Sequence, residues 1–143
     1  MAAVNPYLIF NGDCEAAFNL YKAAFGGEFP YIGKFGDMPP ADGQPELPES
    51  YKDKIMHVSL PIGATTLMGS DSNSMSGDVK IGENVSISIA TESRDEADNL
   101  FNILSADGVV KMPMQNTFWN AYFGMLIDKF GIHWMINFDE VPL

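Results

Sequence analysis

The feature that most constrains this chain is an internal duplication. Glu15-Ala16 precedes Gly27 by the same distance that Glu96-Ala97 precedes Gly108, and Gly63 leads to Asp71 with the spacing that separates Gly131 from Asp139. Between these markers each half reads strand, helix, strand, strand, strand. One βαβββ unit leaves a face of its sheet without cover, so two of them are expected to curve around a cleft. The expected fold is therefore α+β: two βαβββ repeats forming a curved mixed sheet. Repeat 1 runs from about 4 to 71 and repeat 2 from about 84 to 139. The Ser/Gly-rich stretch 70–84 joins them as a linker within a single 1–143 domain.

The elements follow from local pattern. Pro6-Tyr7-Leu8-Ile9-Phe10 is a short apolar run ending at Asn11-Gly12, as a buried first strand would. Asp13 is placed to cap the next segment. There Ala17, Leu20, Tyr21, Ala24 and Phe25 recur at helical spacing until Gly26-Gly27 stops the helix. Glu28 to Phe35 reads as a strand. Residues 37–51 hold Pro39, Pro40, Pro45 and Pro48 among acidic residues and predict a long loop, either a lid over a site or a plain insertion. Lys54–Leu60 and Thr65–Gly69 form a hairpin around Pro61–Ala64. In the second half, Val85–Ala90 alternates as a strand and Ser93-Arg94-Asp95-Glu96 is a capping box. Ala97, Leu100, Phe101 and Leu104 give the second helix its apolar stripe before Gly108. Val109–Met114 is the next strand. Gln115 to Phe138 then supplies two aromatic- and Met-rich runs joined at Asp128-Lys129-Phe130-Gly131. Alternation puts His133, Met135 and Asn137 on one face, with Trp134, Ile136 and Phe138 on the other.

Charge and composition narrow the function classes. The net charge of −11 repels nucleic-acid phosphates and anionic lipid, so neither nucleic acid nor membrane is an expected partner. One cysteine, Cys14, allows no internal disulfide, and no signal-peptide pattern opens the chain, so a cytoplasmic location is expected. Cys14 stands near a helix start, where a thiolate is stabilised, but nothing basic adjoins it and a small buried filler is the simpler reading.

With two histidines in the chain, imidazole chemistry falls to His57 or His133. His57 lies mid-strand between Met56 and Val58, either as an acid/base and substrate hydrogen-bonder or as a polar residue satisfied by neighbouring backbone. His133 stands two residues past a turn glycine and reads as structural or surface. Gln115, Trp119 and Tyr122 lie in the connection into the last hairpin. They offer a flat apolar wall with amide donors and acceptors, or, alternatively, core aromatics with a backbone-bound glutamine. Met68, Met125 and Met135 suit an adaptable apolar pocket or ordinary packing. Asp128 reads as a turn-former. No P-loop, dinucleotide fingerprint, HExxH or paired-Cys spacing occurs.

Several motifs carry a wider likeness: Pro6-Tyr7-Leu8 with Asn11-Gly12 and Ala17-Phe18; Met56-His57; Leu67-Met68-Gly69-Ser70-Asp71; Met112-Pro113-Met114-Gln115; Phe118-Trp119; Phe123-Gly124-Met125; and Asp128 through Trp134. On these the chain resembles the vicinal oxygen chelate superfamily (glyoxalase I, bleomycin-resistance proteins, extradiol dioxygenases), and within it the PhnB-like branch. The resemblance implies a small-molecule ligand in the concave cleft and a homodimer. Metal-dependent members hold a divalent ion with His and Glu on the first and last strands of each unit. Those positions fall near Pro6, Leu67, Ser86 and Met135, and one-residue shifts reach Tyr7, Met68, Val85 and Ile136. None is a good hard-metal ligand, so no metal or other cofactor is expected. Two readings remain. One is a lyase- or isomerase-type enzyme with His57 as acid/base and Gln115 polarising a substrate oxygen, and with Leu67, Ser86, Trp119, Tyr122, Met135 and Asn137 lining the site. The other is a binding protein that sequesters an aromatic or antibiotic-like ligand without turnover. A ubiquinone methyltransferase reading, linked to the family name, finds no methyl-donor fingerprint in the glycine pattern.

Overall fold

The computed structural model describes residues 2–39, 43, 47–73 and 77–140. The chain divides into two compact units, Met1–Lys80 and Ile81–Leu143. In the first, β1 (Tyr7–Phe10), α1 (Cys14–Phe25), β2 (Tyr31–Lys34), β3 (Ile55–Ile62) and β4 (Thr65–Asp71) build a four-stranded sheet of order β1-β4-β3-β2. In the second, β5 (Ile87–Ala90), α2 (Arg94–Ser105), β6 (Val109–Asn116), β7 (Ala121–Ile127) and β8 (His133–Asp139) build a sheet of order β5-β8-β7-β6. First and last strands pair in parallel in both units, and the remaining pairs are antiparallel. The duplication read from the glycine and acidic markers is thus a duplication of topology. Ser70 and Asp71 belong to β4, so the connecting stretch begins after them. Part of the Pro-rich 37–51 stretch lies outside the described residues.

Each helix covers one face of its own sheet. In the first unit Phe10, Ala17, Phe18, Tyr21, Val58, Leu60 and Leu67 are buried. The helix lies close enough that a Cβ on Gly69 would stand 2.6 Å from the Phe18 ring. Phe18, rather than the expected Leu20, is the buried member of that turn. In the second unit Leu100, Phe101 and Leu104 of α2 pack with buried Leu126, Trp134 and Ile136. That confirms the alternation predicted for β8. Burying an aliphatic or aromatic side chain of this size contributes about 1.5–3 kcal/mol, so these stripes dominate the stability of each unit.

The helix starts differ from one another. Ser93 caps α2 as predicted, its hydroxyl accepting the Glu96 N–H at 3.0 Å, while the Glu96 carboxylate reaches back to the Glu92 N–H at 3.2 Å. Asp13 makes no such bond at α1. There the carboxylate of Asp71, arriving from the end of β4, accepts the N–H groups of Gly12 and Cys14. A distant strand end supplies the cap expected of a local residue.

Candidate site on the helix-free faces

Register sorts the first sheet into a helix-covered face and a helix-free face. Tyr7, Met68, Ser59 and Tyr31 lie in one row across the four strands. His57 pairs with Gly33 one row along, on the same face, because alternation carries it two residues from Ser59. Leu67 sits in a helix-facing row with Leu60 and is 1% exposed. The expectation that Leu67 lines the site is therefore corrected, because it faces the helix; the β4 residue on the helix-free side is its neighbour Met68.

On this face His57 is flanked by two phenols. Tyr7 Oη lies 3.3 Å from His57 Nδ1, with the rings 5.7 Å apart, and the Tyr31 ring centroid stands 5.9 Å away. Tyr7 and Tyr31 are 45% and 48% exposed, unusual for large aromatic residues with a packed face available. Sequence pattern singles out neither tyrosine as a site residue, although the alternation that turns Phe10 toward the helix sends Tyr7 to the opposite side. His57 Nε2 has no hydrogen-bond partner among the described residues, so one ring nitrogen is oriented by a phenol and the other remains available. That arrangement can accept or deliver a proton, with Tyr7 steadying the imidazole.

The second sheet has its own helix-free face. Met112, Met125 and Met135 pair side by side across β6, β7 and β8, with Ser88 at the end of the row. The next row carries Gln115, Phe123 and Asn137. Trp119 lies in the turn between β6 and β7, its ring 6.2 Å from Phe123 and 4.9 Å from the 94% exposed Phe118. Met135, Asn137, Gln115 and Trp119 thus share one side of this sheet. Asn137 donates to Asp139 Oδ1 at 3.1 Å, and Ser86 is exposed just ahead of β5.

Tyr122 is a second correction. It shares its row with Asn116 and turns toward α2, where its hydroxyl donates to Asp98 Oδ1 at 2.5 Å. The Arg94 guanidinium lies 3.8 Å over its ring, bonds Asn116 Oδ1 at 2.9 Å and pairs with Glu140. The hydrogen bond to Asp98 is the largest of the effects that push the phenol above its ordinary value, followed by burial and the carboxylate charge, against a lowering by Arg94. These contacts tie the start of α2 to the sheet and leave Tyr122 no role in a wall on the other side. Asp128 behaves as a turn-former with an added duty. It accepts from Phe130 and Ile132 backbone and from Trp134 Nε1 at 2.9 Å.

The residue types at the positions where the resemblance would place ion ligands do not suit a hard divalent metal. Pro6 has no side-chain donor, and its carbonyl accepts the Met68 N–H at 3.1 Å. Leu67 is under α1, Ser86 offers a lone hydroxyl, and Met135 a soft thioether. Among the described residues no three His, Cys, Asp or Glu side chains gather where they could hold an ion.

Comparisons with known proteins place the chain. The protein YjdN of Escherichia coli K12 is 32% identical over 139 residues, covering 94% of this chain and 93% of that one. The crystal structure of PA1353 from Pseudomonas aeruginosa is 42% identical, with a TM-score of 0.83 over 97% of this chain and 98% of that one. A Bacillus cereus structure described as a putative 3-demethylubiquinone-9 3-methyltransferase, PhnB protein, is 24% identical with a TM-score of 0.75, covering 96% and 99%. At 14% identity and a TM-score of 0.65, over 97% and 98% of the two chains, a glyoxylase/bleomycin resistance protein/dioxygenase domain from Frankia sp. EAN1pec shares the fold alone. A family model described as 3-demethylubiquinone-9 3-methyltransferase matches residues 2–137, and the chain belongs to that PhnB-like family, within the vicinal oxygen chelate fold.

Proposed function

We propose that this protein is a small-molecule enzyme of lyase or isomerase type that works by proton transfer at His57. The observation that carries the reading is the Tyr7–His57–Tyr31 cluster on the helix-free face of the first sheet. A structural histidine would be expected to spend both nitrogens on backbone. Here Nδ1 meets a phenol and Nε2 is left for a ligand. The homodimer implied by the resemblance and the cytoplasmic setting expected from the lone cysteine belong to the same proposal. Methyl transfer, the activity in the family's description, finds no support in the glycine pattern of this chain.

The test works with any panel of carbonyl compounds and does not depend on the identity of the natural substrate. Enolisable carbonyl compounds incubated with the protein in deuterated water are followed by NMR for loss of the proton beside the carbonyl. Wild type is expected to exchange at least one of them. His57→Asn should abolish exchange with the melting temperature held within about 2 °C, and Tyr7→Phe should slow it about tenfold. Exchange at the wild-type rate in His57→Asn refutes the proposal, and so does a parallel collapse of exchange and stability.

The methionine row and exposed Trp119 on the second sheet favour a second reading, ligand capture without turnover. A compound that raises the melting temperature and is recovered unchanged, with no exchange seen for any carbonyl, selects that alternative.

A further inference from the structure

We infer that the helix-free face of the first sheet selects an uncharged, planar ligand, of the aromatic amide or conjugated carbonyl kind, seated against His57 between Tyr7 and Tyr31. The inference deepens the preceding reading and rests on this face being the reaction site. It adds a charge rule and the residues that impose shape.

The charge rule comes from what the face lacks. The four strands of this sheet carry two ionic side chains, Lys34 and Asp71. Asp71 is turned toward the helix, where it holds Gly12 and Cys14. Lys34 lies past the register shift at the end of β2, paired with buried Ile55. Among the described residues, the strands therefore offer phenols, an imidazole, the Ser59 hydroxyl and the Met68 thioether on the helix-free side, and no fixed charge. An ion settling there would shed water without meeting a counter-charge. A neutral carbonyl or amide, by contrast, finds donors and acceptors in Tyr7, Tyr31 and His57. The net charge of −11 disfavours an anion further. A cation is drawn by that field and by the ring faces, but among the described residues no strand carboxylate on this side completes its coordination.

The shape rule comes from Gly33. A Cβ at this position would stand 2.9 Å from the Tyr31 ring carbon that bears the hydroxyl, and nearer still to the hydroxyl itself. Tyr31 thus lies folded over the glycine in its own strand and beside His57. Any larger residue at 33 must displace it. With Tyr7 and Tyr31 tilted at 41° and 46° to the imidazole, the rings border His57 on two sides, an arrangement matched to a flat guest.

Three nearly isosteric planar probes isolate the charge rule: benzamide, benzoate and benzamidine, neutral, anionic and cationic at pH 7. Each is titrated against full-length protein carrying isotope-labelled methionine methyls, with the Met68 methyl and His57 ring resonances as reporters. Benzamide is expected to bind at least fivefold tighter than either ion. Tyr31→Ala and Gly33→Ala should each weaken it at least fivefold, with Tyr31→Ala serving if Gly33→Ala does not fold. Tighter binding of benzoate or benzamidine overturns the inference, as does the absence of saturable shifts for all three. These outcomes are separate from the proton-transfer test. A preference for benzamide that persists in His57→Asn, together with unchanged exchange in that variant, would sink the catalytic role of His57 and leave the ligand class standing.

Discussion

The side-chain carboxylate of Asp71, the last residue of β4, accepts the backbone N–H of Cys14, the first residue of α1, at 3.0 Å. The same oxygen accepts the Gly12 N–H at 2.9 Å, and the other accepts the Ile55 N–H at 2.9 Å. One carboxylate, 3% exposed, therefore joins the start of the helix to the start of β3. Its negative charge also lies against the positive end of the helix dipole.

Replacing Asp71 by Ala strands those backbone donors in a dry interior. The expected loss is about 3–5 kcal/mol of unfolding free energy, since an unsatisfied buried donor costs about 1–3 kcal/mol. Asp71→Asn, with one acceptor oxygen instead of two, should fall between wild type and Ala. Chemical denaturation of the three proteins checks the order, and an Ala variant as stable as wild type would show that water replaces the carboxylate.

Cys14 is fully buried, and burial first, then the charges of Asp71, Asp13 and Glu15, push its thiol far above the ordinary value of 9.0. Native protein should resist a chromogenic disulfide reagent at pH 8 and react fully once denatured. The folded value is raised, so the contribution to stability is intact below pH 9. It falls as the pH rises above that, because the unfolded chain ionises first. Cys14→Ser should flatten the alkaline decline in stability.

Tyr122 offers a second alkaline probe with a different cause. Hydrogen bonding to Asp98 raises its phenol above the ordinary 10.0, so it should ionise only above that pH. A raised folded value means that its contribution is present below pH 10 and is lost as the folded phenol ionises. Asp98→Asn should lower the titration seen by phenolate absorbance. Arg94→Ala should raise it, since the guanidinium beside the ring favours the phenolate.

Asn11-Gly12 is a sequence prone to deamidation, in which the Gly12 nitrogen attacks the Asn11 carboxamide carbon and ammonia leaves. In the fold both reactants are engaged. Gly12 N–H is donated to Asp71, and the Asn11 amide both donates to the Val79 carbonyl and accepts the Val79 N–H. Folded protein kept warm at mildly alkaline pH should retain its mass, whereas protein in guanidinium should gain that of one deamidation at this site. Equal rates in the two states would show that these bonds give no protection.

Much of this architecture can be read from residue order. The spacing of Glu15, Gly27, Gly63 and Asp71 against Glu96, Gly108, Gly131 and Asp139 marks matching elements, and each signal is local enough to survive without tertiary context. The faces are harder. In β4 the adjacent Leu67 and Met68 are both apolar, so composition does not say which one turns to the helix. β6 carries register shifts between Val110 and Met112 and between Met112 and Gln115, which defeat simple alternation. Tyr122 is drawn toward α2 by Asp98 and Arg94, partners more than twenty residues away in sequence. The two helix starts make the same point. Ser93 advertises its cap three residues ahead, whereas the cap of α1 arrives from Asp71 and leaves no trace near Asp13.

The parallel partnership of β1 with β4 sets a schedule for biosynthesis. Tyr7 is in register with Met68 and Phe10 with Asp71. The opening strand thus leaves the ribosome with no edge to join until nearly the whole first unit has followed it. Leu8 and Phe10 must wait in solvent or in the grip of a chaperone during that interval, and slowing translation past Asp71 would do nothing to shorten it. The second unit repeats the delay, with Ile87 waiting for Trp134, so the nascent chain is most exposed to misassociation twice in one round of synthesis.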